Sequence, residues 1–129
     1  MNATLVYLAW VTAFTALMWV PYILDRIMVT GLIDAVGYPD SPKAQSPWAQ
    51  RAKTAHHNAV ENLVIFAALV LVAQAMGISN DSTAMAALVY LLARIVHFAV
   101  VIAKIPWLRT GAFTVGWVCQ MVIAWQILF

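Results

Sequence analysis

The residues able to do chemistry are Arg51, Asn58, Glu61 and Asn62 in one segment, Arg94 and His97 in a second, and Arg109 and Thr110 before a third. They lie inside or against long apolar runs. A lone central arginine costs about 2.5 to 3.5 kcal/mol on membrane-insertion scales, so an intramembrane charge marks a partner or a ligand. At 100° per residue Arg51, Asn58 and Asn62 fall within about 40° of one another, with Thr54 and Glu61 on the flank, and form one polar stripe. Arg94 and His97 share a face that Val101 and Lys104 prolong. An antiparallel hairpin turning at Ser79 sets Glu61 level with His97 and close to Arg94, so a Glu61–Arg94 ion pair is expected. A guanidinium at Arg109 opposes the dipole of the helix it introduces unless an anion answers it. Arg51, Lys104, Arg109 and Arg26 can thus gather a small polar anion at the water-facing helix ends, while a lipophilic partner arrives from the bilayer. His56 points about 140° from the Arg51 stripe and reads as a packing histidine. The adjacent pair His56-His57 lacks the i, i+4 spacing of a helical metal site.

These side chains must be carried by membrane spans. Of 129 residues 64% are hydrophobic and 9% charged, far below the charge of a water-soluble domain, and the 7 basic and 5 acidic residues leave Met1–Leu24, Asn62–Asn80 and Thr110–Phe129 uncharged. Each run is near the ~20 residues that cross a hydrocarbon core, and a further run around Arg94 makes four. Because a bilayer leaves no backbone group unsatisfied, the expected fold is an all-α integral membrane protein, an antiparallel bundle of four transmembrane helices in one domain over residues 1–129. The expected spans are residues 3–28, 48–77, 83–104 and 110–129. Gly31, Gly37, Pro39, Pro42 and Pro47 mark one long loop, and Ser46-Pro47 starts the second helix. The N-terminal run has no Lys or Arg before it and is longer than a signal-peptide core, so it is expected to be retained. All six Lys and Arg residues near the turns flank the first and third connections and none the second, which places both termini on the non-cytoplasmic side.

A net charge of +2 without a basic, aromatic-interleaved stripe gives no support for nucleic-acid binding. Cys119 is alone, which excludes a disulfide framework or thiolate cluster. The tryptophans and tyrosines near span ends, Trp19, Tyr22, Trp48 and Trp107, read as interfacial anchors.

The segment Arg51-Ala-Lys-Thr-Ala-His-His-Asn-Ala-Val-Glu61 with Asn62, together with Ala93-Arg94, His97 and Arg109-Thr110, resembles the MAPEG family, membrane-associated proteins in eicosanoid and glutathione metabolism. The resemblance covers essentially the whole chain. It implies a homotrimer of four-helix bundles, of bacterial inner-membrane type, with glutathione as co-substrate held between neighbouring subunits. Arg51, Asn58, Glu61, Arg94, His97 and Arg26 would then hold glutathione, Arg109 would stabilise its thiolate and Thr110 would assist. No metal set is implied. The activity implied is transferase or peroxidase chemistry on lipophilic electrophiles or lipid hydroperoxides, with membrane lipids as surroundings. Many members carry arginine where this chain has Thr54, and tyrosine where it has His97 or Val101, so a non-catalytic trimeric scaffold or lipid-binding protein remains open. So does a metal or haem centre using His57 and His97.

Overall fold

The computed structural model describes residues 2–129. Its helices are α1 (Ala3–Leu17), α2 (Trp19–Thr30), α3 (Leu32–Val36), α4 (Pro47–Ala75), α5 (Asp81–Ile102) and α6 (Pro106–Leu128). α1 and α2 are consecutive pieces of one 28-residue span, and with α4, α5 and α6 they give four helices long and apolar enough to cross a membrane. The protein is an all-helical, multi-pass membrane protein. Both termini and the turn after α4 lie at one end of the bundle, here the terminal end. The segment 31–46 and the turn 103–105 lie at the other, the loop end.

Helix boundaries depart from the expected ones by up to four residues, each for a local reason. The first span, expected over residues 3–28 with Pro21 interrupting it near its end, breaks at Met18 and runs on to Thr30. Pro21 has no N–H to return to the Leu17 carbonyl, so the ladder opens there. The second helix spans Pro47–Ala75 rather than 48–77, because Gly77 (φ 72°) takes the left-handed position that ends it, with Ile78 N–H on the Ala73 carbonyl at 2.8 Å. The third begins at Asp81 instead of residue 83, since Asn80 and Thr83 close a reciprocal capping box. It ends at Ile102, two residues short of Lys104. The fourth begins at Pro106 rather than 110: proline suits the first helical position, where no backbone N–H is needed.

The two halves of the bundle are packed differently. In the terminal half, Leu8, Val11, Phe66, Val70, Tyr90 and Ile123 form the larger core cluster, and the Phe66 and Tyr90 rings stack at 3.8 Å. In the loop half the buried face of α4 is Ala49, Ala52, Ala55 and Ala59, which repeats at helical spacing and lets neighbouring helices approach closely. Tyr22 and Ile23 of α2 and Phe98 and Ile102 of α5 pack there. At 29 residues, about 43 Å, α4 exceeds a ~30 Å hydrocarbon core.

Candidate functional site

The alanine face decides where the polar residues of α4 point. Asn58 flanks it on the α5 side, and its Oδ1 accepts from Arg94 Nη2 at 2.7 Å. His97 Nδ1 lies 3.4 Å from the same nitrogen, an acceptor position that leaves its proton on Nε2. The network extends through Asn62, whose Nδ2 donates to the Asn58 carbonyl at 2.9 Å. It reaches α6 through Gln120, whose Nε2 donates to the Asn62 carbonyl at 3.1 Å. Arg94 is 2% exposed, and its Nε has no partner. A guanidinium held by two neutral acceptors is stabilised in place but keeps its charge uncompensated.

The expected Glu61–Arg94 pair does not form: Glu61 is exposed on α4 and Arg94 turns to Asn58 instead. Glu61 lies 60° around the helix from Asn58, on the exposed side of the stripe, so Asn58 and not Glu61 meets Arg94. The hairpin register also differs from a turn at Ser79, because α4 already stops at Ala75 and brings Asn58, one turn earlier, opposite Arg94.

Next to this network, at the loop end, a cleft of about 640 Å³ opens between α4, the α5–α6 turn and α6. Arg51, Lys104 and Arg109 line it, with Gln50 and Thr54 as neutral polar groups and Val100, Val101 and Ile105 among its apolar residues. Each cation is positioned by a different device. Arg51 Nε donates to the Ile102 carbonyl at 3.0 Å, so its charge sits at the negative end of the α5 dipole. Lys104 occupies the left-handed position (φ 62°) of the turn that ends α5, with Ile105 N–H on the Val100 carbonyl at 3.0 Å. Glycine is the usual residue there, and a side chain in that conformation costs about 1 to 3 kcal/mol. Arg109 lies within the first turns of α6 because Pro106 starts the helix, and its own N–H bonds to the Ile105 carbonyl at 3.1 Å.

Of the site residues expected from sequence, Arg51 and Arg109 thus share the cleft, and Asn58, Arg94 and His97 share the buried network. The structure does not bring in the other three. Thr110 is exposed and returns its hydroxyl to the Pro106 carbonyl at 3.2 Å. Glu61 faces outward, and Arg26 lines a different cleft. Gln120, buried in mid-span, escaped the sequence reading, although a glutamine in an uncharged apolar run is itself a signal. His56 packs as expected, with Nδ1 2.7 Å from the Tyr22 hydroxyl. His57 is exposed whereas His97 is buried beside Arg94, and among the described residues no three His, Cys, Asp or Glu side chains gather as metal ligands.

A four-span helical membrane protein with a cationic cleft at one end and a buried arginine network beneath it is the class the geometry defines. The MAPEG family model matches residues 4–129, and the chain belongs to that family. A search of curated proteins gives no match.

Proposed function

We propose that the chain is a glutathione-dependent membrane enzyme that activates the glutathione thiol for attack on lipophilic electrophiles or lipid hydroperoxides. Membership of the MAPEG family supports a glutathione- or eicosanoid-related activity. The observation that carries the reading is the convergence of Arg51, Lys104 and Arg109 on one cleft with apolar residues in its wall. Glutathione has two carboxylates, one ammonium and a thiol, so three cations suit a net anion. The cleft volume lies in the ~300 to 1,000 Å³ range of small-molecule sites. Arg51 and Lys104 hold carboxylate in this reading. Arg109 faces the thiol: a neighbouring cation favours the charged form, lowers the thiol pKa and raises the fraction of nucleophile. Val100, Val101 and Ile105 offer the acceptor an apolar approach, and holding both reactants together supplies the proximity term. Arg94, Asn58 and His97 are positioning residues that fix α5 against α4 beneath the cleft.

The assembly in this reading is a homotrimer. An exposed Glu61 within a membrane span supports it, because an ionised carboxylate facing lipid is costly and a neighbouring copy can answer it. Both termini lie on the non-cytoplasmic side, in keeping with the distribution of Lys and Arg. The test is a glutathione titration of the detergent-purified protein, following thiolate absorbance and thermal stability, with Arg109→Ala beside it. A thiolate signal with stabilisation, the signal lost in the variant, is the expected result. Stabilisation without thiolate reassigns the chain as a binding protein, and no response removes glutathione.

A further inference from the structure

Arg26 is absent from the cleft described above because it belongs to another. On the other side of Gln50 and Thr54, which line both, a second cleft of about 470 Å³ is bounded by α2, α3, the 31–46 segment and the start of α4. Arg26, Lys43 and Lys53 enter it from α2, the loop and α4, against a single carboxylate, Asp34.

The wall that carries Lys43 is built. Gln45 Nε2 donates to the Tyr22 carbonyl at 2.6 Å, and Gln50 Nε2 to the Gln45 carbonyl at 2.8 Å. The Ser46 N–H donates at 3.0 Å to the carboxylate of Asp25, itself buried. Snorkelling of separate basic residues would need none of these ties.

Two facts select the ligand. The excess of cations over carboxylate in the cleft asks for an anion with several acceptor oxygens. Around it Met28, Leu32, Ile33, Val36 and Tyr38 are exposed, at and just beyond the end of α2. A free phosphate uses the cations and leaves those apolar side chains in water. A phospholipid uses both. We propose that this cleft binds the anionic headgroup of a phospholipid, with the apolar residues of α3 and its flanks set in the bilayer interface beside the acyl chains. Within one chain this cleft shares no cation with the other, so lipid retention is read separately from the glutathione titration.

The experiment is native mass spectrometry of the detergent-purified, delipidated full chain, titrated with phosphatidylglycerol or phosphatidylcholine. Phosphatidylglycerol is expected to stay bound and phosphatidylcholine to be lost. The variant Arg26→Gln/Lys43→Gln/Lys53→Gln should weaken retention about fivefold per cation removed, on the order of a hundredfold together. Arg26→Lys/Lys43→Arg/Lys53→Arg should keep it. If the triple glutamine variant does not fold, Lys43→Gln/Lys53→Gln at two exposed positions gives the same reading at smaller size. Equal retention of the two lipids overturns the proposal, as does retention untouched in a folded charge-removal variant. Displacement of the lipid by millimolar inorganic phosphate alone makes this a free-anion site and overturns the lipid assignment. Lys104→Gln, in the other cleft, should leave retention unchanged, and a loss there overturns the placement.

Discussion

The terminal end of the bundle is tied shut and the loop end is left open. At the terminal end Asn2 Nδ2 donates to Gln74 at 2.9 Å, Asn80 Nδ2 to Gln126 at 2.9 Å, and the Thr4 and Thr83 hydroxyls meet at 3.4 Å, so hydrogen bonds between side chains reach all four spans. No lysine or arginine is involved. Below them the stacked Phe66 and Tyr90 fill the core with large side chains. At the loop end α4 presents alanines, α6 begins without a side-chain cap, and three cations line a cleft. The difference assigns two tasks. One end joins the spans through polar side chains that meet each other, and the other leaves three cations lining an open cleft.

That division predicts that damage to each end is read in a different measurement. The largest effect belongs to the closed half: Phe66→Ala removes a fully buried ring from the Tyr90 stack and should cost about 3 to 5 kcal/mol, seen as a much lower unfolding temperature in detergent. An unchanged unfolding temperature would mean that this half is not what holds the bundle. Next comes Arg109→Ala, which should lower turnover by about a hundredfold or more, near 2.7 kcal/mol of transition-state stabilisation, and leave unfolding where it was. Full turnover in that variant removes Arg109 from the chemistry. Third is Asn58→Leu, which takes the 2.7 Å acceptor from buried Arg94 and should cost about 1 to 3 kcal/mol of stability. It should not change the response to glutathione in the molecules that remain folded. A loss of binding at full stability would move Asn58 from the scaffold to the site.

The contrast between the ends also explains what the sequence revealed. The four spans follow from the spacing of charges, and the start of the second long helix from Ser46-Pro47. The stripe of Arg51, Asn58 and Asn62 is legible because helical periodicity alone puts those residues on one face. The partner of Arg94 is not. It depends on which side of α4 is pressed inward, and that is set by Ala49, Ala52, Ala55 and Ala59, small residues that carry no periodic hydrophobic contrast within an apolar helix. Opposite charge favoured Glu61, and packing chose Asn58. The two clefts were hidden for a different reason. Arg26 and Arg51 belong to one pool of basic residues in sequence, and only the fold of the 31–46 segment separates them.

The smallest effect is the sharpest test of whether the open end is built for a ligand. The turns ending α4 and α5 have the same hydrogen-bond pattern, with Gly77 at the left-handed position of one and Lys104 at that of the other. Gly77 meets the backbone requirement at the closed end without a side chain in the left-handed conformation. At the open end a lysine sits in the same conformation, with its side chain at the cleft. Lys104→Gly therefore relieves a left-handed side chain and deletes a cation in one step. Stability should rise by up to about 1 kcal/mol, while glutathione affinity falls about tenfold. Lys104→Ala deletes the same cation and keeps the strained backbone, so it should lose affinity without gaining stability. If Lys104→Gly lowers stability, the lysine serves the α5 terminus and its dipole, and the strain has no connection with the ligand. If both variants keep full affinity, the cleft needs only Arg51 and Arg109, and the comparison between the two turns loses its functional meaning.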